Sequence, residues 1–146
     1  MSVTGQVLKV HNWIYKSTDG RLGHKMIGVP TLLLRTTGRK SGATRTNSLV
    51  YADDGDQYLV VASNGGADKP PAWLFNLEAN PDVEVQLGRE RKKATATALR
   101  PDDPDYERLW KIVNQNNKDR YYAYQKQTER PIPVVVLSPG GAPASS

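Results

Sequence analysis

The chain has 146 residues, which is enough for one domain with its own core. Its hydrophobic fraction of 38% and mean hydropathy of -0.60 argue against a membrane-spanning protein, and the lack of cysteine excludes disulfides, thiolate metal sites and cysteine nucleophiles. With two histidines and no HExxH or GxSxG motif, the sequence offers almost no support for a zinc or serine hydrolase. A cysteine-free chain favours the reducing cytoplasm.

The net charge of +5 is concentrated in one part of the chain. Residues 1–50 hold eight basic side chains and one acidic side chain. A local positive field favours an anionic ligand, nucleic acid or an anionic membrane surface. The alternative is a solvated basic face that serves solubility alone.

The predicted elements begin with an amphipathic helix over residues 3–15, where Val3, Val7, Val10 and Ile14 recur at helical spacing. Three strands follow, the last two joined by a turn at residues 53–56, and then a short helix. The second half contains a hairpin, two helices and a closing strand. In chain order, these elements are predicted at residues 31–36, 44–52, 57–63, 72–77, 83–87, 93–99, 102–113, 118–128 and 131–137.

This order predicts the fold class. Strands joined by short hairpins form antiparallel pairs, because parallel pairs need crossover helices between them. We therefore expect an α+β domain, a small antiparallel β-barrel with helices packed outside, over residues 1–138. Residues 139–146 are rich in Pro, Gly, Ala and Ser and are predicted to form a disordered tail.

The densest polar cluster lies at residues 36–47 and contains Arg39, Lys40 and Arg45 with two glycines and several hydroxyls. It is neither a Walker A loop nor a GxGxxG loop. Glycine permits close backbone approach to a ligand, and arginine supplies two parallel donors. The cluster indicates a phosphate or carboxylate clamp, and the alternative is an ordinary charged hairpin turn.

A second cluster lies at residues 62–73, where a strand ends at Ser63, two glycines follow, and a helix begins after Pro71. Free backbone N–H groups and a helix N-terminus favour an anion here. Trp73 is typical of a core residue, or it packs on a flat ring. Tyr121, Tyr122 and Tyr124 allow the same two interpretations, a half-buried face or a lid on a planar ligand.

No constellation for acid–base or nucleophilic catalysis is apparent, so an enzyme of this sequence would depend on a bound cofactor for its chemistry. The motifs at residues 33–47, 55–81 and 131–136, with the run Thr36-Thr37-Gly38-Arg39-Lys40-Ser41-Gly42, resemble those of the deazaflavin-dependent nitroreductase family. The resemblance implies a split β-barrel of the FMN-binding type, an actinobacterial host and coenzyme F420 as hydride carrier. It also implies hydride transfer to quinones, nitroaromatics or activated C=C bonds.

The resemblance also implies which residues meet the coenzyme. Its phosphate and polyglutamate tail would lie at residues 39–45, and its ring would lie along residues 47–49 and 61–64. Residues 72–76 would lie on the far side of the site. The implied set is Arg39, Lys40, Ser41, Arg45, Thr46, Asn47, Ser48, Leu49, Val50, Val61, Ala62, Ser63, Asn64, Ala72, Trp73, Leu74, Phe75, Asn76 and Tyr121. Candidate proton donors are Ser63, Tyr121, Tyr124 or water, and no metal is expected. The sequence departs from residues frequent in the family at Ser48, Val50 and Asn64.

Three alternatives stay open. An FMN-binding split-barrel oxidoreductase would share the barrel and the phosphate site, and a non-catalytic cofactor or haem carrier would share the cavity. A nucleic-acid binder is disfavoured, because aromatics do not alternate with the basic residues.

The N-terminal helix would either pack on the barrel or rest on an anionic membrane surface as a peripheral contact. The oligomeric state is open, with a monomer favoured.

Overall fold

The computed structural model describes residues 30–140, which contain seven strands, three helices and one 3-10 turn at Asn64–Gly66. The strands are β1 (Thr31–Thr37), β2 (Thr44–Val50), β3 (Ala52–Asp54), β4 (Gln57–Val61), β5 (Asp82–Leu87), β6 (Glu90–Leu99) and β7 (Val134–Pro139). The helices are α1 (Ala72–Ala79), α2 (Tyr106–Asn116) and α3 (Arg120–Lys126).

The strands form one sheet in the order β2-β1-β5-β6-β7-β4-β3, and all neighbours are antiparallel. The two edge strands, β2 and β3, are separated in the chain by Tyr51 alone. The sheet must therefore curl until its opposite edges meet at Tyr51. The predicted α+β antiparallel barrel is confirmed, and α2 and α3 pack on its outside as predicted, whereas α1 packs against the interior layer.

The predicted single strand at residues 44–52, paired with 57–63, is wrong in one respect. β2 pairs with β1, and only β3 pairs with β4. The break falls at Tyr51, whose N–H donates to the carbonyl of Pro30 and whose carbonyl accepts from Asn116 Nδ2 at 2.8 Å. The Pro30 bond continues the register of β2 on β1 by one residue. Proline has no N–H to return a bond and Asn116 takes the Tyr51 carbonyl, so the β1–β2 ladder ends there.

Residues alternate between two apolar layers along the central strands, as the period of two in a strand requires. On β4 and β7, Val60 and Val135 face the barrel interior, where α1 contributes Trp73 and Leu77. The intervening residues, such as Val134, face the outer layer, which α2 and α3 cover. Burying each large aliphatic side chain contributes about 1.5–3 kcal/mol, so these layers fix the helices on the sheet.

Most other element predictions are confirmed with shifted ends. The core face predicted for α2 is observed at Tyr106, Leu109 and Val113, whereas Trp110 is half-buried and stacks on Tyr106. β7 extends to Pro139 and Gly140 N–H still pairs with the carbonyl of Lys93, so residues 139 and 140 do not belong to a disordered tail. The rest of the predicted tail, residues 141–146, lies outside the described residues. The predicted helix at residues 3–15 lies outside the described residues. Between residues 30 and 140, no helix has the length and apolar character needed to span a bilayer.

Candidate functional site

A cavity of about 1100 Å³ opens between β2, the turn after β1 and the segment that links β4 to α1. We call residues 38–43 the cationic turn and residues 62–71 the β4–α1 loop. The cavity is lined by Gly38, Arg39, Lys40, Ser41, Thr44, Arg45, Thr46, Asn47, Ser48, Leu49, Val61, Ser63, Asn64, Gly65, Lys69, Pro70, Pro71, Ala72, Trp73 and Asn76. The two sequence clusters thus face each other across one space, although they are separate in the chain.

The charge of this cavity is one-sided. Four of the lining residues are cations, Arg39, Lys40, Arg45 and Lys69, and no lining residue is acidic. Within residues 30–140, none of the four forms a salt bridge. Because like charges gathered without counter-charges raise the positive potential, the cavity favours an anionic ligand.

The cationic turn has a specific backbone structure. Gly38 N–H donates to the carbonyl of Ala43 at 2.7 Å, and Gly42 N–H donates to the carbonyl of Gly38 at 2.9 Å. Ser41 Oγ accepts from Ala43 N–H, a local bond typical of serine in turns. A Cβ on Gly38 would lie 2.9 Å from Ser41 Oγ and 3.1 Å from the Ala43 carbonyl, so this tight turn requires glycine there.

Asn76 of α1 fixes the position of the cationic turn. Its Oδ1 accepts from Arg39 N–H, and its Nδ2 donates to Thr36 Oγ1 at 3.5 Å. The Arg39 guanidinium carbon lies 4.7 Å from the centroid of the Phe75 ring, one residue earlier in α1. Such a cation–π contact favours one orientation of the guanidinium. The helix α1 therefore positions both the backbone and the side chain of Arg39.

The β4–α1 loop is held from its other side by Arg130, which precedes β7. The guanidinium donates from Nη1 to the Ala62 carbonyl at 3.3 Å, from Nη2 to Ser63 at 2.9 Å and from Nε to Ala67 at 2.9 Å. Burial lowers the pKa of Arg130 below its ordinary value, and the Asp68 carboxylate offsets part of that shift. Asn64 Nδ2 closes the loop by donating to the Lys69 carbonyl at 2.9 Å.

Close packing also ties this loop to α3. Gly66 has a φ of +85°, and a Cβ there would lie 2.9 Å from the carbonyl oxygen of Tyr124. Only glycine adopts this conformation at such a distance without a shift of the backbone. The segment that lines the cavity is therefore braced by α3 and by Arg130.

The structure brings together fourteen of the nineteen coenzyme-binding residues that the resemblance implies. The other five, which do not line the cavity formed by residues 30–140, are Val50, Ala62, Leu74, Phe75 and Tyr121. Ala62 and Leu74 belong to the interior core, and Phe75 reaches the site through Arg39. Trp73 is buried in the core, as one interpretation predicted, and it also lines the cavity, while its packing on a flat ring stays a prediction.

Of the three candidate proton donors, Ser63 lines the cavity. Tyr121 is buried in the outer layer, its ring centroid 6.4 Å from that of Trp110, and Tyr124 packs beside it. Burial raises the pKa of Tyr121 to about 12. The structure therefore places both tyrosines away from the cavity walls that residues 30–140 provide.

Several lining residues were not singled out as site residues from the sequence. They are Gly38, Thr44, Gly65, Lys69, Pro70 and Pro71. Lys69 had a usable signal, because it is a cation beside the prolines that open α1. Arg130 had none, because its role depends on backbone carbonyls more than sixty residues away.

Comparison with known proteins identifies the family. A family model described as F420H(2)-dependent quinone reductase matches residues 7–139. The F420H(2)-dependent quinone reductase of Mycobacterium tuberculosis (strain ATCC 25618 / H37Rv) is 56% identical over 134 residues, which is 91% of this chain and 90% of that protein.

Two solved structures share the fold. The F420-H2 dependent reductase FDR-A is 38% identical and has a TM-score of 0.68, and the alignment covers 75% of this chain and 94% of the FDR-A chain. A structure described as a domain-swapped dimer is 35% identical, has a TM-score of 0.69 and covers 94% of this chain and 100% of its own. The family match spans nearly the whole described chain, and the cavity carries the cations that an anionic coenzyme requires. The chain belongs to the F420H(2)-dependent quinone reductases, a family of oxidoreductases whose coenzyme is F420.

Proposed function

We propose that the cavity binds F420 through the residues that line it and that the protein transfers a hydride from the reduced coenzyme to a quinone. The observation that carries this proposal is the set of four cations, with no carboxylate, around a cavity of about 1100 Å³. An anionic coenzyme with a large flat ring needs both features. Nitroaromatics and activated C=C bonds, which share the electron-poor character of quinones, extend the proposed range of acceptors.

The cationic end of the cavity fits the phosphate and polyglutamate tail of the coenzyme. Arg39 and Arg45 each offer a planar fork of donors for a carboxylate or phosphate, and Lys40 and Lys69 add point charges. The hydroxyl of Ser41 accepts its turn bond through oxygen, which leaves its proton to donate to an anion. These residues would bind and orient the tail without taking part in the chemistry.

The other end of the cavity fits a ring. Leu49, Val61 and Trp73 line it with apolar surface, and each is buried or half-buried. Apolar walls exclude water, and a fixed orientation brings the donor and acceptor into reacting distance. When bound, the coenzyme supplies the hydride, and the protein positions it.

Ser63 is the proposed proton donor among the side chains, because it is the predicted donor that lines the cavity. It lies where β4 ends, beside Asn64 and across from β2. A serine hydroxyl both donates and accepts, so it can pass a proton between solvent and a reduced acceptor. Water in the open part of the cavity would serve the same purpose.

Two measurements test the proposal. Purified protein is titrated with F420 and with FMN, following coenzyme fluorescence, and we expect saturable binding of F420 in preference to FMN. Reduced F420 is then mixed with menadione or a nitroaromatic, and the return of oxidised-coenzyme absorbance is recorded with and without protein. Preference for FMN, or binding of F420 without catalysed reoxidation by either acceptor, would contradict the proposed function.

A further inference from the structure

We propose that Arg130 is a positioning residue that directs the backbone N–H groups of Ser63 and Asn64 into the cavity, where they donate to an oxygen atom on the ring of the coenzyme. This inference rests on the proposed function, since it concerns the same cavity. It adds a residue that does not line the cavity, together with two donors that no side-chain motif reveals.

Arg130 sets the direction of two peptide groups. Arg130 accepts no bond and donates to the carbonyls of Ala62 and Ser63. In a planar trans peptide the N–H points opposite to the carbonyl of the preceding residue. With both carbonyls turned toward Arg130, the N–H groups of Ser63 and Asn64 point away from it.

These N–H groups point toward the large cavity. Arg130 borders a separate cavity of about 500 Å³, whereas Ser63 and Asn64 line the large cavity. The β4–α1 loop therefore lies between the two spaces, and the side opposite Arg130 is the coenzyme side. Within residues 30–140, no acceptor pairs with either of these two N–H groups.

The backbone conformation of Ser63 and Asn64 also favours two donors that point the same way. Ser63 has φ −82° and ψ −32°, and Asn64 has a φ of +46°. A right-handed residue followed by a left-handed one turns successive N–H groups into a common concavity that binds anionic or electron-rich atoms. A positive φ is unfavourable for asparagine, and the bonds from Arg130 on one side and to Lys69 on the other hold it.

The charge of Arg130 strengthens the donors. A guanidinium behind two carbonyls polarises the peptide groups, which makes their N–H ends more positive. Preorganised N–H groups of this kind stabilise negative charge that develops on a ligand oxygen. Arg130 would thus act on the coenzyme through the backbone and touch neither ring nor tail.

The test separates the ring from the tail. A deazaflavin fragment that lacks the phosphate and glutamates keeps only the ring contacts. We expect Arg130→Lys to weaken binding of F420 and of the fragment by the same factor, about tenfold, because a single ammonium nitrogen lacks the planar fork that spans the Ala62, Ser63 and Ala67 carbonyls. Arg45→Ala should weaken F420 alone. Arg108→Lys is the matched control, since that arginine makes two bonds to Asp54 away from the cavity, and it should change neither affinity.

A second measurement does not depend on any variant. In 1H–15N spectra of the wild-type protein, the amides of Ser63 and Asn64 should shift when the tailless fragment is added. If wild-type protein fails to bind F420, the proposed function fails. If it binds F420 but these amides stay unchanged, or Arg130→Lys binds the fragment as wild type does, only the role of Arg130 is overturned.

Discussion

The side-chain oxygen of Asn76 accepts a hydrogen bond of 3.0 Å from the backbone N–H of Arg39. Asn76 lies in α1 and Arg39 in the cationic turn, so this bond joins the two sides of the cavity. It explains how an exposed turn that carries two adjacent cations keeps a defined position. A charged turn that was free to move would lose much of its binding energy to ordering.

Replacing Asn76 with alanine should loosen the cationic turn. The change leaves the Arg39 N–H without its acceptor and removes a buried amide, which should lower the free energy of unfolding by about 1–3 kcal/mol. F420 affinity should fall with it. Chemical denaturation and fluorescence titration measure the two effects. Asn80→Ala, at the exposed end of the same helix, is the control and should leave F420 affinity unchanged.

Arg45→Ala should weaken F420 binding by roughly tenfold or more, because a charge-assisted contact to the anionic tail is lost. Arg45 is exposed on the edge strand β2, so the melting temperature should change little. Titration at low and high salt gives a further check, since the remaining affinity should depend less on ionic strength. Equal affinity of the variant and the wild type would count against an anion clamp.

Gly66→Ala and Gly65→Ala form a matched pair at adjacent positions. Both residues have a positive φ, but a Cβ on Gly65 meets nothing within 4 Å, whereas one on Gly66 meets the Tyr124 carbonyl. Gly66→Ala should therefore reduce the unfolding free energy by about 1–3 kcal/mol more than Gly65→Ala does. Urea denaturation of both variants measures this difference. Similar losses would show that the contact with α3 is not a tight constraint.

The protein should lose stability in strong alkali. Burial raises the pKa of Tyr106 and of Tyr121 from 10.0 to about 12. The unfolded chain then releases these protons at lower pH than the folded chain does, so the stabilisation is complete below pH 10 and is lost as pH rises toward 12.

Tyr121→Phe isolates part of this effect. Without an ionisable hydroxyl at position 121, the unfolding free energy should fall less steeply between pH 10 and pH 12 than in the wild type. Denaturant titrations at several pH values in this range measure the slope. A wild-type slope in the variant would mean that Tyr121 does not carry the alkaline sensitivity.

Residue patterns within short segments were enough to predict many of the strands and helices and the cluster of cations at the cavity. The alternation of Val83, Val85 and Leu87 with polar residues indicated β5, and Asn80-Pro81 marked the end of α1. Arg39, Lys40 and Arg45 predicted an anion clamp because they are close together in the sequence, and the structure places all three at one cavity. These features depend on neighbouring residues, which a sequence displays directly.

The features that escaped prediction depend on distant contacts. The strand that seemed continuous through Tyr51 divides there because its β1 partner, Pro30, has no N–H to return a bond and Asn116 takes the Tyr51 carbonyl. Arg130 is far in sequence from the carbonyls it holds. Tyr121 resembled a residue at the pocket, but aromatic packing with Trp110 keeps it in the outer layer.

The one-residue connection at Tyr51 also limits how wide the cavity can become. β2 forms one of its walls and begins at Thr44, the end farthest along the chain from that connection. Since consecutive Cα atoms are held about 3.8 Å apart, the barrel edges cannot separate at Tyr51, and any widening must pivot there. Arg45 lies on β2 only six residues before this connection, so the same connection limits how far that cation can stand from the opposite edge of the barrel.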